Sequence, residues 1–150
     1  IWVDVFPGTP EHDVARMLGP REERQYGWQV RFLDRAGFLS LIRPVLERRL
    51  ADSLYHGLTH DLSIDLYESC LTLKWEEGQL VEVREDPGLT VAGAGQTKMP
   101  EHALVKSVFG YRNLERLMDE YPDVSVPRFL RPLLDVLFPQ LKAMVDIPIG

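Results

Sequence analysis

The stretch that decides the fold is residues 60–84, HDLSIDLYESCLTLKWEEGQLVEVR, in which apolar and polar side chains alternate over three short runs. Alternation with a period of two places the apolar side chains on one face of a strand and the polar ones on the other. The second connection contains Gly78, which tolerates the positive φ of a hairpin turn. These residues therefore predict three consecutive antiparallel strands with one buried face. The apolar members are Leu62, Ile64, Leu66, Leu71, Leu73, Trp75, Leu80, Val81 and Val83.

Two further strands and two helices are predicted before the hairpins. Alternation over 1–6 and 26–33 indicates strands, and we expect the second to join the hairpin sheet. Pro10, which follows a threonine, is typical of the first position of a helix. Asp34 is expected to cap an amphipathic helix that runs to about residue 50. Because Pro44 has no backbone N–H to donate, this helix should break at residues 42–44.

Helices are also predicted after the hairpins. Pro100 is expected to open a helix that runs through Phe109, and Gly110 should then form a turn, since glycine is a poor residue for a helix interior. Asn113 is expected to cap the next helix, and Pro127 to start the last one. Helices before and after a block of antiparallel strands are typical of the α+β class. We therefore expect a mainly antiparallel sheet with helices on one face.

The composition is that of an ordinary folded domain. The chain has 150 residues, 45% of them hydrophobic and 27% charged, and its lone Cys70 cannot close an intrachain disulfide. The net charge of −6 disfavours general binding to nucleic acid, because counterion release favours basic proteins. Residues 31–50 carry five arginines against two acids, whereas residues 51–90 carry nine acids against two basic residues. Two solvated faces of one domain are the favoured interpretation.

Two features of the sequence concern the location of the protein. The sequence has no run of about 18 apolar residues, so no membrane span is predicted. It starts at Ile1 without the basic and apolar regions of a signal peptide. We therefore expect a piece of a longer, cytoplasmic protein.

His56 and His60 are candidate metal ligands, since they are four residues apart and close to Asp61 and Asp65. Four residues is the spacing of two ligands on one helix, but the intervening Gly-Leu-Thr disfavours a continuous helix. We therefore favour solvated loop histidines over a metal site.

Two other candidate functions are nucleotide binding and nucleophilic catalysis. Residues 93–98, GAGQTK, lack the third glycine of a dinucleotide fingerprint and the full spacing of a P-loop, so a surface loop is favoured. Cys70 has no histidine nearby in sequence to act as its base. The serines at 40, 53 and 107 lie in no G-x-S-x-G elbow. The motifs alone predict no catalytic, cofactor-binding or metal-binding residue.

Longer segments carry a family resemblance. They are WQVRFLD (28–34), LIRPVLERRL (41–50), the hairpins, MPEHALVKSVFGYRNLERL (99–117) and LLDVLFPQL (133–141), with VFGYR and LFP the most telling. Together they resemble the C-terminal portion of bacterial GNAT-superfamily acetyltransferases, similar to the enhanced intracellular survival family. In that family two GNAT-like units precede a sterol-carrier-protein-like domain.

This resemblance implies a domain organisation and a function. Residues 1–25 would be the tail of a preceding GNAT-like unit, and residues 26–150 the sterol-carrier-protein-like domain. The domain would be a non-catalytic part of an N-acetyltransferase that shapes the acceptor site and makes contacts with the preceding GNAT domains or with a second copy. Acetyl-CoA is implied for the full-length enzyme only, because the [QR]-x-x-G-x-[GA] pyrophosphate loop is not found between Ile1 and Gly150.

The resemblance also leaves a second function open. The sterol-carrier fold commonly encloses an apolar cleft between sheet and helices, which would make the domain a carrier of a lipid or another apolar ligand. The residues that would line such a cleft, or belong instead to an ordinary core, are Phe109, Tyr111, Phe129, Leu133 and Leu137.

Overall fold

The computed structural model of the chain describes residues 10–19, 30–88 and 96–141. The chain divides into two units, the first made of Ile1–Gln29 with Met144–Gly150 and the second of Val30–Ala143. In the first unit the structure describes α1, Pro10–Met17, which begins at the predicted proline. The predicted strand over 1–6 lies outside the described residues. The assignment of 1–25 to a preceding GNAT-like unit stays a prediction.

The second unit belongs to the predicted α+β class. Its described elements are two helices, three long strands, one short strand and three more helices. Their bounds are α2 Arg35–Leu41, α3 Arg43–Ala51, β1 His60–Asp65, β2 Ser69–Glu76, β3 Gln79–Pro87, β4 Thr97–Lys98, α4 Glu101–Val108, α5 Leu114–Glu120 and α6 Arg131–Leu137.

The sheet has the strand order β3-β2-β1-β4 and is mixed. The predicted antiparallel hairpins are confirmed, and positive φ at Glu77 and Gly78 forms the second turn. The expectation of a mainly antiparallel sheet is corrected by β4, which pairs parallel with β1. β3 and β4 lie at opposite edges of the sheet, and β4 runs in the same direction as its neighbour β1.

The expected strand over 26–33 does not join this sheet in its described part. Residues 30–33 form no strand. Asp34 caps α2 immediately afterwards, with its carboxylate accepting a hydrogen bond from the backbone N–H of Gly37 at 2.8 Å. The described part of the segment thus leads directly into the capped start of α2.

The apolar face of the sheet forms the core. Leu62, Leu73 and Trp75 are fully buried, and Leu62 pairs directly with Leu73 across β1 and β2. Each described helix of the second unit adds buried side chains to the same cluster. These include Leu39, Leu46, Leu50, Leu104, Leu117, Leu133, Leu134 and Leu137. Full burial of one leucine contributes roughly 1.5–3 kcal/mol, so this cluster is the main source of stability.

Two side chains of α3 tie it to its neighbours. The Glu47 carboxylate accepts a hydrogen bond at 2.9 Å from the backbone N–H of Leu80 on the edge strand β3. Arg49 donates at 2.6 Å to the carbonyl oxygen of Leu137 in the last turn of α6. Both contacts satisfy backbone groups at an edge or a helix end.

The helix boundaries follow the prolines. The predicted break is confirmed at Ile42, where α2 ends and α3 begins, with Pro44 in the first turn of α3. The expected start of the last helix at Pro127 is wrong, because the backbone N–H of Leu130 donates to the Pro127 carbonyl in a turn. The helix α6 then begins at Arg131, with a proline in its first turn.

The turn at Gly110 is confirmed. Its φ is +67°, and α4 ends two residues earlier at Val108. Asn113 caps α5, since its side-chain oxygen accepts from the backbone N–H of Arg116 at 2.9 Å. Leu141 also closes on this turn, donating its N–H to the Gly110 carbonyl oxygen at 2.8 Å. Glycine is required here by conformation and by space.

We predict that Gly110→Ala destabilises the domain by more than about 1 kcal/mol, because a Cβ is unfavourable at this positive φ. That Cβ would also lie 2.7 Å from Cγ and 2.9 Å from the backbone nitrogen of Leu141. Urea unfolding measures the effect. Gly57→Ala is the control, since Gly57 has open space around it and no positive φ. Equal free energies of unfolding for the two variants would contradict this reading.

Candidate functional site

The residues predicted to line an apolar cleft divide between core and surface. Leu133 and Leu137 lie on α6 and are buried in the core cluster. Phe109 and Tyr111 lie at the α4–α5 turn and are 40% and 49% exposed, and Phe129, before α6, is 66% exposed. The structure therefore divides the five side chains between the buried core and the surface. An opening between them stays a prediction.

Phe109 belongs instead to an aromatic cluster with Phe32 and Phe38. The ring centroids of Phe109 lie 5.6 Å from Phe32 and 5.5 Å from Phe38, and those of Phe32 and Phe38 are 5.0 Å apart. These separations are within the range of favourable aromatic pairs. The cluster joins the segment before α2, α2 itself and the end of α4. Of these three aromatic residues only Phe109 is a site candidate from the sequence, because Phe32 falls in a predicted strand and Phe38 on an ordinary helix face.

Aliphatic side chains extend this cluster along the surface of α2 and α3. Leu41 and Ile42 follow Phe38 by three and four residues, which is the spacing of one helix face, and Val45 lies on α3, beyond the break at Ile42. Leu41 is 76% exposed and Val45 is 42% exposed. We call the aromatic cluster together with Leu41, Ile42 and Val45 the apolar patch. Phe32, Phe38 and Ile42 are partly buried against the core, so Leu41, Val45 and Phe109 are the exposed members of the patch. An exposed apolar patch is typical of a surface that contacts another molecule.

A polar network holds the same helix against the end of the sheet. Arg35, the first residue of α2, donates through Nε to both carboxylate oxygens of Glu85 at 3.0 and 2.9 Å. Ser69 Oγ donates to the same carboxylate at 2.6 Å. Arg35 also lies 3.3 Å from Glu101 at the start of α4. We call these four residues the Arg35 clasp.

The electrostatics of the clasp determine what it can do chemically. The hydrogen bond from Arg35 lowers the pKa of Glu85 below its usual value, Ser69 lowers it further, and desolvation opposes both. A carboxylate with a lowered pKa is a weaker base toward the Ser69 hydroxyl that it binds. The clasp is therefore an arrangement that fixes the position of α2.

The other residues singled out in the sequence are not members of this network. His60 begins β1, while His56 lies in the preceding turn with Nδ1 3.4 Å from the Ser53 carbonyl oxygen. Over the described residues, no group of three or more histidine, cysteine, aspartate or glutamate side chains is placed to hold a metal ion. Cys70 is buried on β2 and pairs across the sheet with Asp65.

The loop considered for nucleotide binding is only partly described. Residues 93–95 lie outside the described residues, and Thr97–Lys98 forms β4. Thr97 is buried against the core side of the sheet, in register with Ile64. In place of a helix that follows the glycines, the chain thus enters a short strand.

Comparison with protein-family models, with curated proteins and with solved structures finds no match to this chain. Of the helices in the described ranges, none is long and apolar enough to cross a membrane. The apolar patch and the Arg35 clasp that supports it are therefore the features of the described residues that bear on function.

We predict that Glu85→Gln lowers the free energy of unfolding by about 1–2 kcal/mol at neutral pH, because a charged, half-buried hydrogen-bond acceptor is lost. The folded-state pKa of Glu85 lies below the unfolded value, so its contribution is present above the unfolded pKa and is lost as the pH falls through the folded pKa. Urea unfolding at pH 7 and at about pH 3 should show that the difference between the native protein and the variant shrinks in acid.

Glu101→Gln is the matched control for this experiment. Glu101 contacts the same arginine, but its side chain is 44% exposed and its contact is longer. We expect a loss below about 0.5 kcal/mol, as for exposed ion pairs. A difference between native protein and Glu85→Gln that stays constant on acidification would contradict the assignment.

Proposed function

We propose that this chain is a non-catalytic accessory domain of an acetyl-CoA-dependent N-acetyltransferase. In this proposal it shapes the acceptor site and provides contacts to the preceding GNAT-like domains or to a second copy. Acetyl-CoA binding then belongs to the preceding domains of the same enzyme. The sequence resemblance suggests the enzyme class, and the apolar patch supports the role of this domain within it.

The observation that carries the proposal is where the apolar side chains lie. The core side chains, including Leu133 and Leu137, are buried against one another, whereas Leu41 and Val45 remain exposed beside the aromatic cluster. An apolar surface that stays in contact with water is an unfavourable feature for an isolated domain. Covering it with another protein surface would contribute roughly 25 cal/mol per Å² of apolar area removed from water.

The alternative of an apolar carrier requires a lined interior space. Two surface hollows of the described part are lined mostly by polar side chains, and neither includes any of the five residues predicted for a cleft. The buried Leu133 and Leu137 are members of the core cluster. These features favour the accessory role over the carrier role.

The clasp also favours a supporting role for the domain. Arg35 and Leu41 lie on the same short helix, so the clasp that fixes the start of α2 also orients the patch at its end. A docking surface benefits from such rigidity, because less side-chain and backbone freedom is lost on association.

The test compares Leu41→Glu with the native sequence in the full-length protein that carries this chain. A carboxylate placed in the centre of the patch would be desolvated on docking, so we expect weaker domain or subunit contacts and a raised KM for the acceptor. Sedimentation velocity and acetyl-transfer kinetics measure these two effects. Circular dichroism checks that the exposed substitution leaves the domain folded.

Leu54→Glu is the matched control. Leu54 is 97% exposed, but it lies beyond the end of α3, whereas Leu41 precedes the start of that helix. The control should leave both association and kinetics unchanged. Identical behaviour of the two variants, or native behaviour of Leu41→Glu, would overturn the proposed role of the patch.

A further inference from the structure

A polar groove lies at the turn that follows α4, at the motif FGYRN of residues 109–113. Its volume is about 490 Å³. The α4–α5 turn supplies one wall, and Gln140, brought close by the hydrogen bond between Leu141 and Gly110, supplies another. The groove is lined by Arg112, Asn113, Arg116, Glu120 and Gln140.

Arg112 is held in a fixed orientation in this groove. Its guanidinium carbon lies 4.1 Å from the centroid of the Tyr111 ring, and its Nε donates to Glu120 Oε1 at 3.0 Å. One terminal nitrogen also donates to the Tyr111 carbonyl oxygen at 3.3 Å. A guanidinium fixed by stacking and hydrogen bonds loses little freedom when its remaining N–H groups bind a further acceptor.

The groove contains more donors than acceptors. Arg112 keeps N–H groups beyond the two that its described contacts use, and the Arg116 guanidinium makes no ion pair with a described residue. The side-chain amides of Asn113 and Gln140 add further donors. On the acceptor side, Asn113 Oδ1 is already bonded to the backbone N–H of Arg116, and Glu120 is engaged by Arg112.

We propose that this groove binds a small oxyanion, either a phosphate or a carboxylate. Both groups present several acceptor oxygens and a negative charge, which match the excess of guanidinium and amide donors. Arg116 supplies the uncompensated charge, and Arg112 supplies the pre-oriented donors. None of the five lining residues belongs to the apolar patch, so the proposal does not depend on the accessory role proposed above.

The test is a titration of the chain with inorganic phosphate and, separately, with succinate at constant ionic strength in a buffer without oxyanions. Amide NMR signals report the location of binding, and we expect saturable shifts centred on Asn113, Arg116 and Gln140. Arg116→Gln should lower the affinity for the tighter-binding anion by about three- to tenfold. Glu120→Gln should strengthen this binding, because the competing negative charge is removed.

The controls separate a site from general charge attraction. Arg128→Gln changes the net charge by the same amount as Arg116→Gln, but Arg128 is exposed and lies outside the groove. The Arg128→Gln variant should therefore bind the anion with the affinity of the native chain. Tighter binding of phosphate or of succinate identifies which oxyanion the groove prefers. Shifts that do not saturate for either anion, or equal weakening by both arginine substitutions, would overturn the proposal.

Discussion

The apolar face of the β-hairpins is the constraint on which the rest of the structure depends. Trp75, Leu73 and Leu62 have no exposed surface, and three strands alone cannot achieve this. Each described helix of the second unit therefore contributes leucines to the same cluster, although these helices come from both sides of the hairpins in sequence. The helices are short, and their stability comes from this burial more than from helix propensity.

The cover of that face leaves some apolar side chains outside. On α2 and α3, Leu39 and Leu46 point into the core, while Leu41 and Val45 stay exposed on a neighbouring face. The break at Ile42 separates the two helices, so one continuous stripe cannot bury all of its members. The Arg35 clasp then fixes the orientation of what remains outside. The exposed surface is thus a consequence of the same arrangement that fills the core.

Much of this architecture was predictable from local patterns. Alternation with a period of two fixes the three hairpin strands, Pro44 marks the helix break, and Gly110 with Asn113 marks the turn and cap, because each signal acts within a few residues. The parallel pairing of β4 was not predictable, since the two residues of this strand carry no signal for the edge they join. Of the strand expected over 26–33, only residues 30–33 are described, and they form no strand.

The candidate site was harder to predict than the fold. The aromatic cluster and the Arg35 clasp both depend on tertiary contacts, and Arg35 and Glu85 are 50 residues apart in sequence. No short motif marks such a pair. The pattern also offered no means of separating Leu133 and Leu137, which are core, from Phe109 and Phe129, which are surface, because all four are apolar and fall in predicted helices.

The central claim is that the interior of this domain is filled by its own side chains and that its apolar contacts are made at the surface. Methyl NMR of the chain during titration with lauric acid tests this most directly. The account predicts that the methyl signals of Leu133 and Leu137 do not move, because no ligand enters between the helices and the sheet, while weak shifts are confined to Leu41 and Val45. Saturable shifts of the Leu133 and Leu137 methyl groups would contradict the account and would establish an interior apolar site.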